Sequence, residues 1–138
     1  MTGDERNEPA IIHSSDGIEL TVTLLEVIDG AKASYESDVP EGSRLVGARF
    51  RIENTGLASY DDNVASGAFL IDTSDQQYEH SWRISIAVPE LSAIRLEPGD
   101  RRAGMIAFLV PNSEQPASVT LSLEAGHGPD RALWKLVE

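Results

Sequence analysis

A chain of 138 residues with 41% apolar and 25% charged content has the make-up of a single soluble globular domain. Its 11 basic and 23 acidic residues give a net charge of −12, which opposes phosphate backbones and anionic membrane surfaces and so argues against nucleic-acid binding. No cysteine is present, which removes disulfides, thiolate metal sites and cysteine nucleophiles; no run approaches the ~18 apolar residues of a membrane-spanning helix, so membrane insertion is not expected.

The first ten residues, "MTGDERNEPA", are polar and charged, and residues 1–16 read as a flexible lead to a domain over residues 17–138. The first strong element is "IELTVTLLEVI". Ile18, Leu20, Val22 and Leu24 share a face, and then the phase slips to Leu25 and Val27, which predicts a β-bulge or a strand crossing between sheets. Residues 31–42 are loop-like, punctuated by Pro40 and Gly42. In "RLVGARFRIENTG", Val46, Ala48, Phe50 and Ile52 alternate with Arg49, Arg51 and Glu53, the pattern of a strand with one buried face. Asn54 can bond backbone two residues on and Gly56 tolerates left-handed geometry, so "ENTG" reads as a structural stop.

Residues 58–67 read as a loop. Residues 68–72 then form a short apolar run, Thr73-Ser74-Asp75 supplies turn chemistry, and Tyr78, His80, Trp82, Ile84, Ile86 and Val88 alternate until Pro89. Together these predict a hairpin with a long second strand. Pro98-Gly99 predicts a type II turn. "RRAGMIAFLVP" is apolar on both faces and reads as a central strand. "SVTLSLEA" is a further strand, and "RALWKLV" a short final strand or one helical turn. Seven or eight strands at this spacing, with no sustained helical period, predict an all-β protein: a two-layer antiparallel immunoglobulin-like β-sandwich.

The order "ENTG", "FLIDTSDQQY", "LEPGD", "AGMIAFLVP" resembles the DUF4352 domains of Gram-positive and actinobacterial envelope proteins, which belong with the MPT63-like immunoglobulin-type sandwiches. Phe50, Asn54, Phe69, Asp72, Tyr78, Pro98, Gly99 and Phe108 carry the likeness within the span 18–123. The resemblance implies an extracellular or cell-envelope, non-enzymatic module. Members commonly follow a signal peptide or a lipid-anchored cysteine, and neither is among these 138 residues; the usual D-x-G hairpin is replaced by "DTSDQQ".

No catalytic constellation is readable. "GxSxG" and "HExxH" are absent, and His13, His80 and His127 lack partners at metal-ligand spacing. His13 and His127 fall in loop-like sequence and read as solvent-facing. Asp61-Asp62-Asn63 could offer three oxygens to calcium, but without the EF-hand pattern it reads as a solvated turn; no cofactor is expected. Tyr35, Tyr60, Trp82 and Trp134 could form an aromatic patch for a protein or glycan. Trp82 reads as core and Tyr60 as the better exposed candidate. Arg101-Arg102 reads as a solvated flank to its strand.

The leading expectation is a non-catalytic binding module that meets a protein partner through residues 58–67 and 73–77, with Tyr60, Asp61, Asp62, Asn63 and Asp75 as contacts. The alternatives are a metal-assisted hydrolase using the acidic loops and a structural spacer.

Overall fold

Strict alternation in the two longest apolar runs builds the first layer. In the computed structural model, which describes residues 8–81 and 86–136, β1 (Ala10–His13), β2 (Glu19–Asp29), β3 (Ser43–Asn54) and β8 (Arg101–Pro111) form one antiparallel sheet in the order β1-β2-β3-β8. The second layer is the antiparallel sheet β10-β9-β5-β6, made by β10 (Ala132–Lys135), β9 (Pro116–Leu121), β5 (Ala68–Asp72) and β6 (Gln77–Glu79). A two-stranded ribbon pairs β4 (Tyr60–Asn63) with β7 (Ala93–Leu96). The fold is thus a two-layer antiparallel β-sandwich of immunoglobulin-like type, with ten strands among the described residues. Three short strands, β1, β4 and β7, account for the excess over the expected seven or eight.

Val46, Ala48, Phe50 and Ile52 are all completely buried, whereas Arg49 and Arg51 are exposed, as the period of two requires. Phe50 sits opposite Leu24 on β2 and Gly104 on β8. Across the interlayer gap its ring meets Trp134 of β10, with centroids 5.4 Å apart and planes tilted by 59°. Such tilted aromatic pairs add to the area they bury. The phase slip in β2 is a real bulge: the register shifts between Leu24 and Glu26, leaving Leu25 without a cross-strand partner. The type II turn also forms, with Gly99 at φ 91 and the Asp100 N–H donating to the Glu97 carbonyl at 2.9 Å.

Four expectations are corrected. Ala10–His13 lies inside the stretch read as a lead, yet it pairs with β2 as an edge strand. Residues 58–67 are not a loop: they hold β4 and a 3-10 turn (Val64–Gly67) with Val64, Ala65 and Gly67 buried. Gly56 has no positive φ; it is small because a Cβ there would come 3.1 Å from both the Cβ and the backbone nitrogen of Glu19. Among the described residues, the long strand expected from Tyr78 to Val88 appears as β6 and single bridges at His80 and Ile86. Trp82 and Ile84 lie outside the described residues. After β6 the chain leaves β5 and crosses to β8, where His80 bridges Phe108 and the Ser81 N–H donates to the Ala107 carbonyl at 2.7 Å. The alternation serves two neighbours rather than one.

Both faces of β8 are buried, but not because it is central. It is the last strand of its sheet, and its outer edge is taken by the crossing segment: the Leu91 N–H donates to Met105, and the Met105 N–H to Pro89. Its second face holds a small satellite core of Ala33, Leu45, Ile86, Met105 and Ala107, on the side of the sheet away from the interlayer core.

Phe50→Ala is expected to cost about 3–5 kcal/mol through transfer and cavity terms. Arg49→Ala, one residue along and exposed, should stay within about 0.5 kcal/mol of the parent. Urea denaturation of both variants checks the contrast, and equal losses would contradict the assigned facing of β3.

Candidate functional site

The residues expected to converge at one end do not do so. Tyr60 begins β4 opposite Leu96, and the Leu96 carbonyl accepts from the Asn54 side chain, which places Tyr60, Asp61 and Asp62 at the C-terminal end of β3. Asp75 lies in the β5–β6 turn. There the Thr73 N–H donates to Gln115, and Ser74 bonds Glu114, whose carbonyl accepts from Arg44 at the N-terminal end of β3. The two groups are separated by the length of a twelve-residue strand, about 40 Å.

Tyr60, expected to be exposed, is buried at 4% exposure. That burial, and after it the charges of Asp62 and Asp61, push its hydroxyl above the ordinary value of 10.0. Asp61 and Asp62 are exposed neighbours on one strand, and adjacent strand side chains leave on opposite faces. Asn63 is committed elsewhere, because its side-chain oxygen accepts from the Ala65 N–H and caps the 3-10 turn. Asp61, Asp62 and Asn63 therefore lack the convergence a calcium ion requires. Among the described residues, no group of three or more histidine or acidic side chains is arranged to hold a metal ion. The aromatic patch is likewise dispersed: Tyr35 is exposed, Tyr60 and Trp134 are buried, and Trp82 lies outside the described residues.

Asn54 organises the end where Asp61 and Asp62 stand. The side chain is buried, and its Nδ2 donates to the Ala58 and Leu96 carbonyls at 2.9 Å each. Its Oδ1 accepts from the Gly56 N–H at 3.0 Å, the bond two residues on that the "ENTG" stretch predicts. Its backbone N–H donates to Asp100 and its carbonyl accepts from Gly99. One residue thus fixes the 55–58 turn, β7 and the Pro98-Gly99 turn together. At the tip of the fixed turn, Leu57 is fully exposed (100%). Arg95 stands beside Asp61 and is held by Glu97, whose other oxygen accepts from Ser59.

His13 faces solvent as expected, with 44% of its side chain exposed, and it also acts as a clamp. Its Nδ1 lies 2.5 Å from Asp130 and its Nε2 3.2 Å from Glu19, while its backbone N–H also donates to Asp130. With a carboxylate at each ring nitrogen the imidazolium is favoured. The Asp130 bond first and the Glu19 bond second raise His13 above its ordinary 6.5. The Thr55 hydroxyl, and after it His13, hold Glu19 below its ordinary 4.5. The clamp ties the β1–β2 hairpin to the segment leading into β10. No sequence spacing could signal it, since His13 and Asp130 are 117 residues apart.

The turn carrying Asp75 is built by its neighbour Asp72. That carboxylate is buried, accepts from the Ser74 and Gln76 N–H groups, and takes the Tyr78 hydroxyl at 2.7 Å. The Tyr78 bond first, then the two backbone bonds, hold Asp72 below its ordinary value; desolvation first, then Asp72, pushes Tyr78 up to about 12. Asp75 occupies the left-handed region at φ 67. Its place in the turn is conformational.

Among the described residues, open clefts include one of about 380 Å³ beside Leu133 and Trp134, one of about 120 Å³ beside Asn63 and Glu90, and one of about 200 Å³ over Thr120 and Ser122. The first two each have a single carboxylate in the lining, Glu8 and Glu90 respectively, and the third has none.

A filled antiparallel sandwich with shallow surface clefts is the class of protein that fold and site define. No protein-family model matches the sequence, and no curated protein matches it in sequence. Solved structures match the fold. The secreted protein MPT63 of Mycobacterium tuberculosis superposes with a TM-score of 0.67 at 14% identity, over 94% of this chain and 93% of its own. A putative lipoprotein, ycdA, of Bacillus subtilis gives 0.66 at 14% identity, over 93% of this chain and 38% of its own. An uncharacterised β-sandwich protein of Clostridium difficile gives 0.57 at 9% identity, over 95% of this chain and 91% of its own. At these identities the likeness is one of fold, and it agrees with the MPT63-like architecture that the sequence resembles.

A raised histidine pKa stabilises the fold fully below its unfolded value and loses that contribution as pH rises through the folded one; a lowered carboxylate does the reverse. The clamp is therefore strongest between about pH 4.5 and 6.5. His13→Gln should lower Tm most in that window, with the deficit shrinking at higher pH; a deficit independent of pH would contradict the clamp. Asp75→Val should destabilise by about 1–2 kcal/mol, because a β-branched residue resists the left-handed region, while Asp75→Gly should not. Thermal melts of both variants test the conformational role.

Proposed function

We propose that this chain is a non-catalytic binding module that works outside the cytoplasm, and that it meets a protein partner through the end organised by Asn54. The observation that carries the reading is Leu57. A large apolar side chain stands fully in solvent on a turn held by two hydrogen bonds to one buried asparagine, which a third bond ties to β7. A preorganised apolar anchor loses little conformational freedom on docking, which is where affinity is commonly gained. Asp61 and Asp62 follow on β4, one on each of its faces, and their exposed charges would steer a cationic partner surface.

Two further points support the reading. A paired-carboxylate or metal-assisted hydrolysis needs acidic side chains that converge, and each of the three clefts has at most one in its lining. The extracytoplasmic setting is supported by two proteins of like fold, one described as secreted and the other as a putative lipoprotein. The contact set differs from the one expected from sequence: Tyr60 is buried, Asn63 is a cap and Asp75 is at the far end, so Asp61 and Asp62 remain and Leu57 joins them.

The test is a photo-crosslinking residue placed at Leu57, with a second at Arg49 as control, in the native host. Position 57 should trap one protein species that position 49 does not. With that species purified, the triple variant Leu57→Asp, Asp61→Ala, Asp62→Ala should keep its Tm and lose at least about tenfold in affinity, near 1.4 kcal/mol. Unchanged affinity in a folded variant would remove this end as the contact surface.

A further inference from the structure

Two buried hydroxyls on the outer face of one strand mark a second surface. Along β9 and its continuation, Val119, Leu121 and Leu123 enter the interlayer core, while Ser118, Thr120 and Ser122 alternate with them on the outer face. Thr120 is 3% and Ser122 5% exposed. Among the described residues no hydrogen bond joins either hydroxyl to another side chain, and both residues line one cleft. Thr120 and Ser122 form the floor of a cleft of about 200 Å³.

The walls of that cleft add a mixed set of groups. Gln77 comes from β6, Phe69 from β5, and His127 and Arg131 from the segment before β10. No carboxylate lines it, and no salt bridge to Arg131 forms among the described residues. The rim is unusual backbone: Glu124, Ala125 and Gly126 follow one another with φ of 55, 55 and 92. Two non-glycine residues in succession in that region are costly and persist only when their surroundings impose them. Here the Glu124 carboxylate accepts from the Ser15 N–H at 2.7 Å and the Ser15 hydroxyl at 2.5 Å, and the Gly128 N–H donates to Leu123 at 2.9 Å. A Cβ on Gly126 would come 3.2 Å from the Phe69 ring, so the rim is packed down on that ring.

The chemistry selects the occupant. Serine and threonine hydroxyls and a glutamine amide each offer both a donor and an acceptor, and Arg131 offers donors alone. An inorganic anion would call for donors only and would meet the field of a chain with net charge −12. Sugar hydroxyls are donors and acceptors at once, and their ring carbons present an apolar face to an aromatic neighbour such as Phe69. We propose that this cleft binds a single sugar ring of a glycan, with Thr120, Ser122 and Gln77 reading ring hydroxyls and Arg131 holding an oxygen-rich edge. The site shares no residue with the Leu57 end, so either assignment can fail without the other.

The experiment is a titration of 15N-labelled protein with methyl glucoside and, separately, methyl glucuronide, raised into the high millimolar range. Saturable shifts confined to the amides of 120–127 and 131 are expected with at least one of them. A response to the glucuronide alone assigns Arg131 to a carboxylate, and a response to the glucoside assigns it to hydroxyls. Thr120→Val and Arg131→Ala should each raise the dissociation constant at least about tenfold, the loss expected for one charge-assisted or otherwise unsatisfied hydrogen bond. Leu57→Asp should leave it unchanged. Arg131 is exposed, so its variant keeps the test valid even where Thr120→Val fails to fold. Absence of saturable shifts with both glycosides, or shifts that survive Arg131→Ala, would overturn the assignment.

Discussion

The dry contact between two layers of extended chain is the constraint on which the remainder rests. Phe50 is its centre. It is held within its own sheet by Leu24 and Gly104 and meets Trp134 from the facing sheet. Because a strand offers every second side chain to one face, a single aromatic in the gap fixes the phase of the strand that carries it, and with it the facing of Arg49 and Arg51 on the other side. Trp134 extends that control to the C-terminal strand. The indole N–H also donates to the Glu8 carbonyl at 3.3 Å, so the same side chain reaches the beginning of the described chain.

With the layers fixed, buried polar groups hold the ends. Asn54 joins two turns and β7 at one end, and Asp72 builds the β5–β6 turn at the other. Each is buried, and each meets the demand of nearby backbone N–H groups that would otherwise lack partners. His13 works on a third seam, between the edge strand β1 and the segment entering β10. These are local solutions to one problem: strand ends leave unpaired backbone, and short polar side chains close it. What they leave exposed, above all Leu57 and the hydroxyl cleft, is what a partner or ligand can use.

Much of the sandwich is legible in the amino-acid order, for reasons that differ between elements. β3 and the Pro98-Gly99 turn are readable because their signals are local: a period of two, and one residue that accepts positive φ. The bulge at Leu25 is readable because a phase slip leaves a visible mark. β1 and β4 escape such a reading because four residues are too few to establish a period, and "YDDN" has a single apolar position. The burial of Tyr60 follows from the pairing of β4 with β7, which no local pattern encodes. β8 has the pattern of a central strand because both its faces are apolar, but its second face meets a satellite core supplied by distant loops. The candidate site is the least legible part. Asp61, Asp62 and Asp75 are alike in composition, yet strand length keeps them apart. Thr120 and Ser122 stand out only once their hydroxyls are set beside Arg131.

The margins of the two sheets carry a consequence for association. The outer edge of β8 is already occupied by the crossing segment, and the other margins are β1, β6 and β10, of four, three and four residues. Such stubs are poor templates for adding another extended peptide. A second molecule gains little by extending these ladders, so this fold can be crowded without zipping into fibrils.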